Sequence, residues 1–291
     1  MKRGLILVNA YTQSEAELNQ PKRLREELKQ LGAETDLKRN DFFCARVTAT
    51  GEISSCAEHY GYCVYFDKDK YAARMLEACG LRLFNRSLAV ETCDDKMLTY
   101  LALAGSSVPV PETLAGPLCY SPDEKIRAET LERVESLGYP LVVKECFGSL
   151  GKGVYLAENR EELLAVAERV KCRPHLFQRF VRESAGRDLR VIVVGGRAVG
   201  AMRRTGKDFR SNVGCGGGAE AVELDGSARE IAERAASVLK LDYCGVDLLY
   251  GRDGYLLCEV NSNAFFQTFE RVTKISVARL YAEHIVKELG V

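Results

Sequence analysis

Two short apolar runs late in the 291-residue chain, residues 244–250 and 254–261, have little freedom in how they can pair. Arg252-Asp253-Gly254 between them supplies a tight turn, so they read as the arms of an antiparallel hairpin. Side chains alternate faces along a strand, so Glu259 and Asn261 point the same way. With the turn centred near Asp253, Asp247 falls almost opposite Glu259, their Cβ atoms about 5 Å apart. Two carboxylates and a carboxamide, flanked by Val246, Leu248, Leu257 and Val260, repel unless something cationic joins them. Oxygen-only donors, two of them charged, suit Mg²⁺, which commonly completes its shell with nucleotide phosphates. A salt-bridged surface hairpin explains the same residues about equally well, although Asn in a strand centre favours a site.

The rest of the chain supplies three lobes. Residues 4–9 form a strand, and residues 21–31 carry Leu24, Leu28 and Leu31 at helical spacing before Gly32. A second strand at 62–66 and a helix at 71–79 follow, which predicts a parallel sheet with right-handed crossovers over residues 1–93. A middle lobe, 94–171, opens with a helix at 96–104 behind Asp94-Asp95, where acidic residues meet the helix's partial positive charge. It continues with a helix at 123–136, strands at 141–144 and 154–156, and a helix capped by Asn159 with Glu162 three residues on. The last lobe, 172–291, is antiparallel, with strands at 175–181 and 189–194 and a turn at Gly195-Gly196. Its helix, 227–239, reads as capped by Ser227 with Glu230. The fold class expected is α/β, a parallel lobe followed by two α+β lobes.

Composition excludes several functions. With 41 basic and 41 acidic side chains, nothing drives the chain as a whole toward nucleic acid or anionic lipid. The opening apolar stretch is too short for a secretion signal, and no run is long enough to span a bilayer. Eleven cysteines, none in a CxxC pair, therefore read as reduced thiols of a cytoplasmic protein, mostly buried. Three isolated histidines, His59, His175 and His284, argue against zinc. No Ser/His/Asp or Cys/His set points to a covalent nucleophile.

Two cationic segments carry weaker signals. Lys144 ends an apolar strand and needs an anion, and the glycine-rich stretch 148–153 begins four residues later. That stretch lacks the spacing of a P-loop or a dinucleotide fingerprint, and alone it reads as a flexible turn. The loop 203–212 holds Arg203, Arg204, Lys207 and Arg210, with Gly214 and Gly216-Gly217-Gly218 beyond. It suits a phosphate or oxyanion clamp, although its composition alone slightly favours a solvated basic loop.

In order and spacing, CDDK at 93–96, VVKECFGSLGKGV at 142–154, GRDLRVIVVGG at 186–196, DFRSN at 208–212, GVDLL at 245–249 and CEVNSN at 258–263 make a recognisable series. From Asp94 onward the sequence resembles the ATP-grasp superfamily, most closely the RimK-like glutamate ligases, and the first lobe resembles a pre-ATP-grasp domain. The resemblance implies two α+β lobes gripping ATP. It places Lys96 and Lys144 on the phosphates under a lid that includes Ser149 and Gly151, and the adenine hinge at 178–181, with Gln178, Arg179 and Phe180. It makes Asp188 a nucleotide-site acid, sets Arg210, Ser211 and Asn212 beside the phosphates, and makes Asp247, Glu259 and Asn261 the ligands of Mg²⁺ or Mn²⁺. Arg204 and Arg210 are the candidates for oxyanion stabilisation.

Two positions depart from the family pattern: Arg179 where an acid is usual, and Gly214-Cys215 where His-Arg is usual. The implied activity activates a carboxylate as an acyl phosphate and joins it to an amine. An amino acid such as glutamate would be added to a protein, peptide or small-molecule acceptor. A small-molecule kinase and a non-catalytic nucleotide-binding module are the alternatives. No nucleic-acid or membrane partner is expected, and self-association is left open.

Overall fold

The computed structural model describes residues 3–43, 45–149, 151–211 and 217–290. Asn212, Gly214, Cys215 and Gly216, singled out above, lie outside the described residues, as does Leu150 in the glycine-rich stretch.

The chain opens with β1 (Gly4–Val8), α1 (Glu15–Gln30), β2 (Thr35–Arg39), the short β3 (Arg46–Val47) and β4 (Ile53–Ser54), β5 (Tyr62–Phe66), α2 (Lys70–Ala78) and β6 (Arg82–Phe84). Strands β2, β1, β5 and β6 lie side by side and parallel, as the alternation of strand and helix predicts. β3 and β4 pair separately. α1 starts further upstream than its leucine spacing suggests, because the Ser14 hydroxyl accepts the amide of Ala16 and caps it there. Pro21 is consequently an interior residue of that helix.

The next segment contains α3 (Ser87–Asp94), α4 (Lys96–Leu103), β7 (Thr113–Ala115), α5 (Ala128–Glu135), β8 (Leu141–Glu145), β9 (Val154–Ala157), α6 (Arg160–Val170) and β10 (His175–Arg179). Asp95 caps α4, its carboxylate accepting the amides of Met97 at 2.8 Å and Leu98 at 3.1 Å. Asn159 caps α6 by accepting the Glu162 amide at 3.0 Å. α5 begins at Ala128, later than expected. The sheet order is β7-β10-β8-β9, antiparallel throughout. β10 thus belongs to the middle sheet, whereas the sequence assigns it to the last lobe. Its pairing with β8 brings Phe177 into a core with Leu141, Val143 and Leu163.

The remainder holds β11 (Arg187–Val194), β12 (Arg197–Thr205), β13 (Gly218–Val222), α7 (Gly226–Val238), β14 (Tyr243–Gly251), β15 (Gly254–Asn261), α8 (Gln267–Thr273) and α9 (Val277–Leu289). These strands form one antiparallel sheet in the order β13-β12-β11-β14-β15. Gly195 and Gly196, at φ +56° and +76°, make the mirror-image turn that a tight hairpin requires. Asp225, not Ser227, caps α7, accepting the Ala228 amide at 2.9 Å. Among the described residues no helix is long and apolar enough to cross a membrane.

The first and third sheets share a core. Ile6, Leu24 and Val64 pack with Ile192, Tyr243, Phe266 and Tyr281 of α9. A buried amide seals the same junction. Asn85 donates to the carbonyls of Tyr243 at 2.7 Å and Ser262 at 2.8 Å. Its oxygen accepts the amides of Asp242 at 2.6 Å and Tyr243 at 3.0 Å. Removing that side chain strands several buried main-chain groups. Asn85→Ala should therefore lower unfolding stability by roughly 3–5 kcal/mol in urea titration. A loss below about 1 kcal/mol would mean that water replaces the amide at little cost.

Candidate functional site

A cleft of about 620 Å³ lies where the three sheets meet. Every site residue read from the sequence that the structure describes lines it. From the middle sheet come Lys144, Ser149, Gly151, Gln178, Arg179 and Phe180, and from α4 comes Lys96. The third sheet contributes Asp188, Arg204, Asp247, Glu259 and Asn261, with Arg210 and Ser211 from the segment after β12.

Strand register determines what these groups meet. Asp247 pairs with Glu259 across β14 and β15, as expected, but through a register shift between Asp247 and Leu248: the turn itself sets Gly251 against Gly254 and Leu248 against Leu257, which unbroken pairing would continue to Asp247 against Cys258. On its other side Asp247 pairs with Arg190 of β11, and Asp188 pairs with Arg204 of β12. The cleft face of the sheet therefore carries a strip of opposite charges across four strands. Arg190 forks onto Asp247, with Nε to Oδ1 at 2.7 Å and Nη2 to Oδ2 at 2.7 Å. Arg204 reaches Asp247 at 2.9 Å and forks onto Asp188, which also accepts the Ser211 hydroxyl. Burial alone would raise the pKa of the Asp247 carboxyl, but the two guanidiniums hold it below the usual carboxylate value. The repulsion expected between the carboxylates is thus relieved at Asp247 by the protein's own cations.

The lysines approach from the other side. Lys96 lies 3.8 Å from Glu259 and donates to the carbonyls of Cys146 at 3.4 Å and Gly148 at 3.3 Å. Lys144 Nζ sits 3.4 Å from the Cys258 sulfur. Burial works against the Lys144 ammonium, yet its pKa is held above that of an ordinary lysine, with the Glu259 carboxylate among the groups that favour the charged form. Burial also pushes the Cys258 thiol up, so the sulfur stays protonated and poorly nucleophilic. Val142, Val154, Phe180 and Leu249 add apolar wall to the cleft.

The basic loop is only partly a clamp. Arg203–Thr205 belong to β12, and alternation turns Arg203 outward to Glu220 at 2.7 Å. Lys207 is not among the cleft-lining residues. Arg210 pairs with Asp208 and reaches the carbonyl of Gly151 at 3.2 Å, linking the third sheet to the glycine-rich loop. Arg179 pairs with Glu112 at 2.5 Å on the surface. Sequence reasoning missed Arg190, although strand alternation in residues 186–196 places it on the same face as Asp188. It also missed Asn9, Asp67 and Lys68, which bring the first sheet to the cleft. Lys68 holds Asp94 at 2.7 Å and donates to the Ser149 hydroxyl at 3.4 Å.

The RimK-like ATP-grasp domain matches residues 93–285. The chain belongs to that family. Human beta-citrylglutamate synthase B is 38% identical to it over 225 residues, covering 76% of this chain and 57% of the human protein. A probable alpha-L-glutamate ligase of Maridesulfovibrio salexigens is 34% identical over 218 residues, covering 74% of this chain and 70% of that protein. The ATP-grasp ligase PsnB, solved with a phosphomimetic variant of its minimal precursor, Mg and ADP, superposes with a TM-score of 0.70 at 18% identity over 99% of both chains. The fold is thus ATP-grasp. This family member spans somewhat more than half the length of the citrylglutamate synthases that it matches.

The donor set of this ATP-grasp cleft suits a hard cation. Asp247, Glu259 and Asn261 offer oxygens from adjacent strands, and Glu259 and Asn261 are only half-buried. The Asp247 oxygens become available once a guanidinium withdraws. Arg204 meanwhile holds two buried carboxylates, so its loss leaves charge uncompensated. Arg204→Met should cost about 3–5 kcal/mol of unfolding free energy. A cost near zero in denaturant titration would show that Asp188 and Asp247 find other partners.

Proposed function

We propose that this protein is an ATP-dependent carboxylate–amine ligase, joining an amino acid of the glutamate type to a carboxylate-bearing small molecule, peptide or protein. One observation carries the proposal: Asp247 and Glu259 face each other across the hairpin, with Lys96, Lys144, Arg190 and Arg204 converging on them in one cleft. Such a surplus of fixed cations suits the meeting of two anions, a phosphate chain and a carboxylate. The names of the relatives, which describe glutamate ligation, and the Mg and ADP of the PsnB complex agree with it.

In this reading Lys96 and Lys144 hold the phosphates, and Gln178, Arg179 and Phe180 form the edge that takes the base. Asp247, Glu259 and Asn261 hold Mg²⁺, which would offset charge on the transferring phosphoryl group. The carboxylate attacks the γ-phosphorus, forming its C–O–P bond as the bond to ADP breaks. The amine then adds to the acyl carbon, the C–O bond to phosphate breaks with its electron pair going to the departing phosphate, and the new amide nitrogen gives up a proton, which the phosphate can accept. Arg204 and Arg210 are the candidates for stabilising the oxyanion between those steps. Ser149 and Gly151 belong to the walls that exclude water from the acyl phosphate.

The decisive experiment traps that acyl phosphate. Enzyme with Mg-ATP, hydroxylamine and a panel of di- and tricarboxylates should yield a hydroxamate together with ADP. A stable phosphorylated alcohol, with no hydroxamate from any carboxylate that stimulates ADP release, would instead establish a kinase. Arg210→Ala should reduce hydroxamate yield by about 100-fold, the usual cost of one lost oxyanion donor. Glu259→Gln should abolish Mg²⁺-dependent ATP turnover while the protein stays folded by circular dichroism. Wild-type turnover in that variant would remove Glu259 from the cation site.

A further inference from the structure

The Asp247 carboxylate is crowded with donors. Both oxygens receive Arg190, and Oδ2 also receives Arg204 at 2.9 Å and the Asn261 amide nitrogen at 3.4 Å. With two lone-pair directions per oxygen, a divalent cation taking Oδ2 must displace an N–H donor, and one taking the open side of Oδ1 meets the Arg190 guanidinium beside it, so in either geometry the cation and Arg190 compete for this carboxylate. The two guanidiniums differ in what each would keep. Arg204 is almost wholly buried and retains its fork on Asp188. Arg190 hydrogen-bonds to no other described group and lines the cleft. Gly245 helps to make its space: a Cβ there would lie 3.6 Å from Arg190 Nε and 2.6 Å from the Ala264 methyl.

We infer that Arg190 is an exchange residue, resting on Asp247 until a divalent cation claims that carboxylate and then turning its fork to the substrate carboxylate awaiting phosphorylation. The inference rests on Asp247 being a cation ligand, as proposed above. A planar guanidinium released from one carboxylate is already shaped to take another in two parallel hydrogen bonds. The cation and the substrate then assist each other's binding, and by linkage the assistance is reciprocal. Arg190 becomes a substrate-positioning residue whose availability reports that the cation is in place.

The exchange has a sign that a structural ion pair does not share. With Arg190 gone, the cation no longer competes for Asp247 and loses a neighbouring positive charge. Mn²⁺, titrated into enzyme saturated with a non-hydrolysable ATP analogue and followed by the spin resonance of the free ion, reads this directly. Arg190→Met should bind Mn²⁺ about tenfold tighter than wild type. Arg190→Lys, which keeps the charge but loses the fork, should show a smaller gain and serves if the methionine variant does not fold. Equal or weaker Mn²⁺ binding in the folded variant would overturn the exchange. Asp247→Asn should weaken Mn²⁺ binding at least tenfold. Unchanged binding there would instead sink the assignment of Asp247 as a ligand, so the two failures are distinguishable. With any carboxylate that yields hydroxamate, Arg190→Met should raise its KM about 100-fold without raising the KM for Mg-ATP. An unaltered carboxylate KM would overturn the positioning role.

Discussion

The third sheet is organised around a carboxylate that cannot be left alone. Asp247 sits fully inside the protein, and desolvating an unpaired charge there would cost several kcal/mol. Arg190 and Arg204 offset that cost only if β11, β12 and β14 keep their observed register. A one-residue slip of β11 would present Leu189 or Val191 to Asp247 and bury a charge against hydrocarbon. The reverse face of the sheet enforces the same register through Leu189, Val191, Val246 and Leu248, which pack with Ala232 and Ala235 of α7. Apolar packing on one face and charge pairing on the other thus specify a single alignment.

What could be read from sequence follows the range of the interaction. The β14–β15 hairpin is local, and its turn and period of two came within one residue of the observed pairing, the shift between Asp247 and Leu248 then bringing Asp247 against Glu259. Arg190 lies 57 positions from Asp247, and nothing in either segment's periodicity names the other as partner. β10 was misplaced for the same reason, since a strand's own sequence says that it pairs without saying with what. For α7 the local spacing of Ser227 and Glu230 pointed to Ser227 as the cap. Asp225 prevails in a setting where its second oxygen also accepts the Tyr255 hydroxyl at 2.7 Å, a tertiary contact invisible locally. Asn9, Asp67 and Lys68 are legible only from topology, because they follow the carboxyl ends of parallel strands, where open α/β sheets bind ligands.

The cleft residues also separate charge from reactivity. Cys258 lies in the cleft beside Lys144, a pairing that suggests an activated thiolate on paper. Burial dominates, and the sulfur serves as a small polarisable neighbour of the ammonium rather than as a nucleophile. The cleft is left with groups that hold and orient, which is what the proposed phosphoryl transfer to a carboxylate would demand.

The core shared by the first and third sheets has a mechanical consequence. Ile6, Leu24 and Val64 are packed against Tyr243, Phe266 and α9, and Asn85 bonds across the same seam, so these two parts move as one block. The middle sheet encloses a separate core around Leu141, Phe177 and Leu163. Any breathing of the cleft would therefore be one-sided, like a jaw working against a fixed skull. Substrates resting on the block would keep their place while Lys144 moved relative to them, restrained by Leu176 of β10 packed with Leu189 and by polar bridges such as Lys68 to Ser149 and Arg210 to Gly151.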